Sequence, residues 1–403
     1  MEAGYQVDLY VDEMPAVKLT SVGDSANLNV ICVVESGQEG KKAQPRSKVS
    51  SKSRIKRMPG WAFVRDLYVL FGWKLPHLVR YGAKCCRMMK KRGPYDVIIG
   101  AENMGLVTAG VFARFSRGRL VYWCLELITW KDAATLLAKF FKWCEMYFAQ
   151  AAEIIVIQDQ ERAKIFSREN KVSSEKIVIV PACARGPARK LRTRYFHKRY
   201  QLSDDVRIAL HAGSIERWSQ CLELIDAARD LPADWKLVVH GFGAADYIDK
   251  VIEAAGKATN VIVSPDFVPY AELDNLIAGA DVGVAMYEAS SVNWQLMGAA
   301  SSKVAQYLKV GVPVIHNSAA SLKDVTDTYG CGVFVSNPKE LGSAAGEIYR
   351  SYSTYVDNAI RCFNEVFDYD RYIDAFLSQI AKASPLRGRR CETRKHHNSG
   401  SIT

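Results

Sequence analysis

Short apolar runs alternate with longer amphipathic stretches along most of the chain, and this alternation is typical of βαβ units around a parallel sheet. The runs fall into two series, separated by a basic, proline-bearing segment at 181–199. The first series predicts strands at Val7 to Val11, Leu28 to Val34, Asp96 to Gly100, Leu120 to Trp123, Ile154 to Gln158 and Lys176 to Val180, with helices near 61–92, 103–116, 131–151 and 159–170. The second series predicts strands at Val206 to His211, Lys236 to His240, Val261 to Ser264, Val282 to Met286, Val312 to Ile315 and Gly332 to Phe334.

These two series predict the α/β fold class, with two Rossmann-like domains that face each other across a cleft. We expect the first domain at 1–190 and the second at 200–352, followed by helices at 353–382 that pack back on the first domain. Residues 383–403 form a polar, basic tail with little apolar area to bury, so we predict that the tail is disordered. Residues 35–60 are rich in Ser, Lys and Gly and are a second segment of low expected order.

The composition of the 403 residues is 49% hydrophobic and 24% charged, which excludes disordered, collagen-like and small disulfide-rich proteins. The formal charge of +11 is unevenly placed. Four stretches, at 41–57, 84–92, 189–199 and 387–395, hold 24 of the 54 Lys and Arg residues and one of the 43 acids, so the rest of the chain is net acidic. A net-acidic body with local basic patches suits an enzyme that meets anionic partners.

The cysteines and the apolar runs bear on location. The ten cysteines include no CxxC pair and no histidine at zinc spacing, so we predict reduced, mostly buried thiols and no metal site. No stretch reaches the roughly 18 apolar residues of a spanning helix, and the first thirty residues lack a signal-peptide pattern. We therefore expect a cytoplasmic protein.

The strand-to-helix junctions of the second series carry the candidate site, because ligands of doubly wound sheets lie beyond the carboxyl ends of the strands. At the first junction, Gly213 and Ser214 offer backbone N–H groups to an anion, and Arg217 supplies a nearby cation. A plain βα turn is the alternative interpretation. Gly241 belongs to a second glycine turn, which is weak evidence because glycine there also serves close packing.

Two further junctions add an apolar lip and a helix start. Phe267 and Val268 suit the face of a nucleobase, although a strand that ends at a proline explains them equally well. Ser301 and Ser302 precede a helix with Lys303 in its first turn, where a cation opposes the helix dipole at a cost of roughly a few tenths of a kcal/mol. A bound diphosphate removes that conflict.

The run SSKVAQYLKVGVPVI at Ser301 to Ile315 resembles the signature of retaining family 4 glycosyltransferases of the GT-B fold. The glycine turns at 213 and 241, the run ADVGVA at 280–285 and the run YDVIIGAE at 95–102 extend the resemblance, in the family's order and spacing, over about residues 90–350. The resemblance implies transfer of a sugar from a nucleotide-diphosphate sugar to a glycan or a lipid-linked acceptor, with retention of the anomeric configuration. It also implies that no metal is required.

Site roles follow from the same resemblance. It implies that Lys303 and Arg217 are the catalytic residues, because they neutralise the diphosphate as it leaves. Glu102 and Glu126 are assigned to the acceptor side. The donor-binding residues that it implies are Gly213, Ser214, Gly241, Phe267, Val268, Ser301, Ser302 and Gln306, the last of these for the ribose hydroxyls.

The chain also departs from the family pattern. Family members usually carry a glutamate where Gln306 stands, and often an acid eight positions earlier, where this chain has Gly298. The segment Gly4 to Tyr10 is similar to the family's second strand, so the first strand and its glycine loop are expected to be absent. Loss of that central strand leaves ladder hydrogen bonds unmade on both neighbours and predicts either a truncated gene model or a rearranged first domain.

An apolar segment at 61–73 lies between the basic runs 41–57 and 84–92. Such a segment can lie in an anionic membrane interface, which suits a lipid-linked acceptor and a peripheral position on the cytoplasmic face. A buried helix of the first domain is the alternative interpretation.

Three other functions compete with an active glycosyltransferase. A degenerate GT-B protein, which binds a nucleotide sugar or partners an active enzyme, is favoured by Gln306 and by the missing first strand. A nicotinamide oxidoreductase predicts an early Gly-x-Gly-x-x-Gly motif, which the sequence lacks. A nucleic-acid partner is disfavoured, because the basic residues cluster without interleaved aromatic residues.

Overall fold

A computed structural model describes residues 5–11, 28–32 and 75–382 of the chain. The predictions for segments 35–60 and 61–73 and for the tail 383–403 lie outside these residues. In the first half, the strands are β1 Val7–Val11, β2 Leu28–Cys32, β3 Val97–Ala101, β4 Arg119–Trp123, β5 Ile154–Ile157 and β6 Ile177–Ile179. The helices that accompany them are α1 Leu75–Arg92, α2 Glu102–Phe115, α3 Leu136–Ala151 and α4 Gln160–Asn170.

The second half begins with the short helix α5 Tyr195–Tyr200. Its strands are β7 Arg207–Ser214, β8 Trp235–Phe242, β9 Val261–Ser264, β10 Val282–Ala285, β11 Val314–His316 and β12 Gly332–Phe334. Its helices are α6 Cys221–Ala227, α7 Ala245–Ala255, α8 Tyr270–Ile277, α9 Val292–Gln295, α10 Ser302–Lys309, α11 Asp324–Tyr329, α12 Leu341–Arg350, α13 Tyr352–Cys362 and α14 Asp370–Lys382. Single 3-10 turns lie at Ser174–Lys176, Arg217–Ser219, Ala228–Asp230 and Pro338–Glu340, and π turns at Ala319–Lys323 and Phe363–Phe367.

The second sheet has the order β12-β11-β10-β7-β8-β9, and all of its strand pairs are parallel. The chain moves outward from β7 to β9 and then returns to β10 on the other side of β7. This reversal opens a crevice at the carboxyl ends of β7 and β10, where ligands of open α/β sheets bind. The fold therefore directs attention to the loops after these two strands.

Apolar side chains alternate along β7 and fill a core on each face of the second sheet. Ile208 and Leu210 pack with Tyr307 and Leu308 of α10, whereas Ala209 faces the cluster around α6 and α12. Because successive side chains of a strand point to opposite faces, one strand serves both cores. The predicted α/β fold of two Rossmann-like domains is confirmed.

The strands of the first domain form two parallel sheets, β1-β2 and β3-β4-β5-β6. Among the described strands, none pairs with the free edge of β1 or of β3. Side chains link the two sheets instead: the Tyr95 hydroxyl donates to Asp8 Oδ2 at 2.6 Å and lies 2.7 Å from the Tyr10 hydroxyl. The described part of the domain therefore has no strand between β1 and β3.

Helices cover both faces of the four-stranded sheet. Helices α1, α2 and α3 pack on one face through buried residues that include Met89, Leu106 and Phe148. Phe376 and Ile380 of α14 pack on the other face, and the Arg119 guanidinium donates to the Ile380 carbonyl oxygen. The end of the described chain thus returns from the second domain to the first.

Some boundaries differ from the predicted ones for local reasons. The third helix begins at residue 136 rather than 131, because the Thr135 hydroxyl caps it by accepting from the Ala138 N–H at 3.1 Å. Strand β7 continues to Ser214 rather than ending at His211, since Gly213 pairs in register with Gly241 of β8. The eight cysteines from Cys85 to Cys362 are free thiols, and six of them are buried. No helix in the described ranges combines the length and apolar character needed to cross a membrane.

Candidate functional site

Two glycines bring the ends of β7 and β8 close together at the crevice. Gly213 and Gly241 have φ angles of 137° and 146°, a backbone region that side chains with a Cβ rarely adopt. A Cβ on Gly241 would lie 1.6 Å from the Gly213 carbonyl oxygen. Gly241 is therefore required for the close approach of these two strands, and its predicted role in donor binding stays a prediction.

Lys303 lies in the first turn of α10, directly below this pair of strands. Its side chain is only 8% exposed, and its Nζ has no hydrogen-bond partner among the described residues. A Cβ on Gly213 would contact Lys303 Cε at 3.3 Å, so the absence of a side chain at 213 leaves room beside the ammonium group. An ammonium group that is buried without a partner costs free energy that an anion would recover.

The surroundings of Lys303 lower its pKa. Burial is the main cause and brings the pKa to about 8, while the nearby Cys221 thiol acts weakly in the opposite direction. The Tyr287 ring centroid lies 5.3 Å from Nζ, within the range of a cation–π contact. The buried imidazole of His211 has a pKa well below its usual value, first through burial and then through the charge of Lys303. His211 is therefore neutral and adds no second positive charge.

The start of α10 is open to an anion. Ser301 occupies the N-cap position, but its side chain caps no backbone N–H and instead receives a hydrogen bond from the Tyr287 hydroxyl at 2.5 Å. Ser302 is exposed at the first helical position. Free N–H groups and the helix dipole at this end complement a negative group next to Lys303. The structure thus brings Gly213, Lys303 and the helix start together.

Arg217 lies apart from the pocket formed by Gly213, Lys303 and the start of α10. Its side chain is 85% exposed, and its Nε lies 3.8 Å from Glu288 Oε2 on the loop after β10. The Glu288 N–H also donates to the Trp218 carbonyl oxygen at 2.8 Å, so the loops after β7 and β10 are tied to each other. The predicted contact of Arg217 with a diphosphate stays a prediction.

An aromatic stack at these loops was not predicted. The Trp218 ring stacks on Trp294 with centroids 4.2 Å apart, and Tyr287 continues the stack 6.2 Å from Trp218. Trp218 lies in the turn after β7, Tyr287 in the loop after β10 and Trp294 in the short helix α9, and no periodic pattern connects them in the sequence. Their stack closes one side of the crevice next to Lys303.

The predicted nucleoside residues lie at other junctions of the same sheet edge. Phe267 follows β9 and is 64% exposed, whereas Val268 packs partly into the core. Gln306 is half-buried one turn after Lys303. A Cβ on Gly298 would lie 2.6 Å from Leu322 Cβ, so close packing excludes an acidic side chain at that position.

On the first domain, Glu102 begins α2 directly after β3 with a φ of 56°. Its Oε1 accepts a hydrogen bond from the Leu125 N–H at 3.1 Å. Burial, and then the charge of Glu126, raise the pKa of Glu102 to about 7. The structure therefore brings the two predicted acceptor-side acids together, with one of them poised to exchange a proton near neutral pH.

Asn293 of the second domain connects these acids to the crevice. Its Nδ2 donates to Glu126, and its Oδ1 accepts from the Leu127 N–H at 2.8 Å. The buried guanidinium of Arg162 donates to Asn293 Oδ1 at 2.7 Å and to the Leu125 and Leu296 carbonyl oxygens at 2.7 and 3.1 Å. The segment between β10 and α10 thus runs from the Lys303 pocket to the acids of the first domain. Sequence reasoning missed Arg162, because an arginine in the first turn of a helix carries no distinctive signal.

No group of three His, Cys, Asp or Glu side chains in the described ranges is arranged to hold a metal ion.

Comparison with known proteins identifies the second domain. Residues 193–352 match the family described as glycosyl transferases group 1. No curated protein matches the chain by sequence. Solved structures that share the fold include the sucrose-phosphate synthase of Thermosynechococcus elongatus (TM-score 0.65, 13% identity, covering 95% of this chain and 91% of that one).

Two other solved structures share the fold. Anabaena HepE in complex with UDP-glucose has a TM-score of 0.61 and 15% identity, covering 77% of this chain and 83% of its own. WaaG, a glycosyltransferase involved in lipopolysaccharide biosynthesis, has a TM-score of 0.58 and 15% identity, covering 95% and 91%. At such identities the likeness establishes the fold alone, which is GT-B.

Proposed function

We propose that this GT-B chain moves a sugar from a nucleotide-diphosphate sugar to an acceptor. The premise is the match of residues 193–352 to the group 1 glycosyltransferases. We further propose that the reaction retains the anomeric configuration, requires no metal and uses a glycan or lipid-linked acceptor, as in polysaccharide biosynthesis. The observation that carries the proposal is the buried ammonium of Lys303, which has no partner in the described structure and lies beside an open helix start.

The diphosphate is the part of the donor that fits this pocket. Breaking the glycosidic bond develops negative charge on the β-phosphate oxygen, and a fixed cation stabilises that charge where it grows. Lys303 would supply the cation, the start of α10 at Ser301 and Ser302 would supply N–H donors, and the backbone of Gly213 and Ser214 would border the phosphates. These fixed groups supply the charge compensation that a divalent ion provides in other transferases, which supports metal independence.

Arg217 has a conditional role in this proposal. In the described part of the chain its guanidinium pairs with the carboxylate of Glu288, and such exposed pairs contribute about 0–1 kcal/mol. A diphosphate at Lys303 would therefore compete well for Arg217, which would then turn from Glu288 toward the phosphates.

The nucleoside would extend along the same edge of the sheet. The exposed face of Phe267, with Val268 behind it, supports a place for the base, and Gln306 supports hydrogen bonds to the ribose hydroxyls. Gly241 would border the nucleoside at the end of β8. Because HepE was solved with UDP-glucose, that compound is the first donor to test.

The acceptor would enter from the first domain. Glu102 and Glu126 lie where the domains meet, and the pKa of about 7 suits Glu102 for accepting a proton from an attacking hydroxyl. A lipid-linked acceptor implies a peripheral position on the cytoplasmic face of a membrane, which we propose for this chain.

Thermal-shift measurements against a panel of nucleotide-diphosphate sugars test the donor site. We expect at least one donor to raise the melting temperature of the parent and to leave Lys303→Ala unshifted. An equal shift in the variant would remove Lys303 from the site. If no donor shifts the parent at millimolar concentration, the proposed function is wrong.

A degenerate protein that binds a donor without transferring its sugar is a second candidate. Gln306 in place of a glutamate and the two separate sheets of the first domain favour it. A sensitive assay for nucleotide-diphosphate release separates the candidates. Release above background identifies a transferase or hydrolase, whereas saturable binding without release supports the degenerate protein.

A further inference from the structure

The outer surface of helices α2 and α3 carries a cluster of exposed aromatic side chains. Phe115, at the end of α2, is 87% exposed, and Trp143 and Tyr147 on α3 are 52% and 41% exposed. Trp143 stacks on Tyr147 with ring centroids 5.8 Å apart. The guanidinium of Arg114, on α2, lies 4.9 Å from the centroid of the same Tyr147 ring. These contacts join α2 and α3 into one surface, which we call the aromatic face.

The aromatic face results from the burial pattern of the two helices. On α3, Lys139, Trp143 and Tyr147 recur every four residues on the exposed side, while Cys144 and Phe148 point into the core. A water-soluble surface would carry polar residues at these spacings. Exposed aromatic residues grouped in this way mark an interaction surface more often than isolated ones do.

The exposed charges on helices α1, α2 and α3 have one sign. Helix α1 contains six Lys or Arg residues and no acid, with Lys90, Lys91 and Arg92 in its last turn. The acids of the neighbouring helices are turned away: Glu145 on α3 is fully buried beside Lys142, and Glu102 accepts a hydrogen bond from the backbone of Leu125. These three helices therefore expose cations and no carboxylates, and one of the cations, Arg114, contacts the aromatic face directly.

An anionic lipid surface fits this combination better than a nucleic acid does. Tryptophan and tyrosine have an apolar body and a polar edge, which suits the boundary between headgroups and acyl chains. Trp143 covers one face of Tyr147 and Arg114 contacts the ring as well, so Tyr147 offers no free face to a nucleobase. Cations spread over α1 complement a diffuse negative surface rather than a single phosphate.

We propose that the outer surface of α1, α2 and α3 docks the protein on an anionic membrane, with Phe115 and Trp143 entering the headgroup region and the cations of α1 contacting acidic lipids. This surface is separate from the Lys303 pocket. The proposal deepens the membrane association that was proposed above, but it does not depend on donor binding or on sugar transfer.

Flotation with lipid vesicles tests the proposal, using the full chain and comparing phosphatidylcholine vesicles with and without 30% phosphatidylserine. The chain has other basic stretches, so variants rather than the parent identify the surface. We expect Lys90→Ala with Lys91→Ala to lower the partition coefficient by roughly thirtyfold, about fivefold per cation, at low ionic strength. We expect Phe115→Ala with Trp143→Ala to lower it by about tenfold or more.

Matched variants on the second domain control for charge and for aromatic content. Lys250→Ala with Lys257→Ala removes two exposed cations, one on α7 and one just after it. Phe242→Ala with Tyr270→Ala removes two exposed aromatic rings. Both pairs should float like the parent, and a donor thermal shift retained by all variants would show that the fold and the donor site are intact.

Three results would overturn the proposal. The first is a parent that fails to float with anionic vesicles at low salt. The second is a pair of test variants that float as well as the control variants, which would place lipid binding elsewhere in the chain. The third is a loss of RNA or heparin binding in the test variants without a loss of vesicle binding.

Discussion

Replacement of Lys303 by methionine separates a residue that binds a ligand from one that holds the fold. Methionine keeps much of the length of the side chain and removes its charge. The Lys303 ammonium lies buried without a hydrogen-bond partner among the residues that the structure describes, and its pKa falls from 10.5 to about 8. A difference of roughly 2.5 pKa units corresponds to about 3 kcal/mol of cost to folding while the group is charged.

The sign of the effect depends on pH. Below pH 8 Lys303 is protonated in both the folded and the unfolded chain, so the whole cost is present. Between pH 8 and 10.5 the folded chain loses the proton first, and the cost disappears as the pH rises. Loss of the Tyr287 contact offsets about 1 kcal/mol, so we expect Lys303→Met to stabilise the ligand-free protein by about 1–3 kcal/mol at pH 7.

Differential scanning calorimetry of parent and variant from pH 7 to 11 measures this difference. For a unit the size of the second domain, each kcal/mol shifts the melting temperature by about 2–4 °C, so the gain at pH 7 is several degrees. The gain should shrink toward pH 10.5. Lys303→Met should also lose all stabilisation by nucleotide-diphosphate sugars.

Lys309→Met is the matched control, because Lys309 lies on the same helix and is about as buried. Its Nζ pairs with Asp274 Oδ2 at 3.0 Å, so removal of its charge leaves a carboxylate without its cation. We expect destabilisation, the opposite sign to Lys303→Met. If Lys303→Met destabilises the protein as Lys309→Met does, the reasoning about an unpaired cation is refuted.

Further variants test the strand contact, the ribose contact, the acceptor side and the domain junction. Gly241→Ala places a Cβ against the Gly213 carbonyl and should destabilise the protein by at least about 3 kcal/mol in thermal melts; a melting temperature like that of the parent would contradict the close approach. Gln306→Glu should tighten donor binding roughly fivefold in titration calorimetry, because a charged acceptor strengthens hydrogen bonds to the ribose diol; unchanged or weaker binding contradicts that contact. Glu102 has a raised pKa of about 7, so its ionisation lowers the stability of the fold as the pH rises from 4.5 through 7. Glu102→Gln should therefore reduce the fall in melting temperature between pH 5 and pH 8, and a fall identical to that of the parent contradicts this. Arg162→Met leaves buried carbonyl oxygens without donors and should lower the free energy of unfolding by about 3 kcal/mol or more in urea titrations; a loss below 1 kcal/mol would show that water replaces the guanidinium.

Periodicity and turn residues were sufficient to predict the strands and the edge of the sheet that carries the candidate site. β9 and β12 have the predicted bounds, and Lys303 lies at a helix start beside Gly213, as the junctions indicated. These features are local, since each depends on a few neighbouring residues and on the rule that parallel strands end together.

The contacts between the domains could not be predicted in the same way. Arg162 and Asn293 are 131 positions apart, and their hydrogen bond exists only because two separately folded units meet. The stack of Trp218 on Trp294 lies within the second domain, but it also joins side chains that are far apart in the sequence. The glycine at position 298 could not be predicted from its own segment either, because it is the distant Leu322 that leaves no room there for a side chain.

The central claim, that a diphosphate binds against the Lys303 ammonium, is tested most directly by counting the protons taken up on binding. A pKa of about 8 leaves Lys303 roughly half protonated at pH 8, and a bound anion would complete its protonation. Titration calorimetry with a nucleotide-diphosphate sugar, repeated at pH 8 in buffers of different ionisation enthalpy, should show uptake of about half a proton. Binding to the parent without proton uptake, or the same uptake in Lys303→Met, would contradict the account.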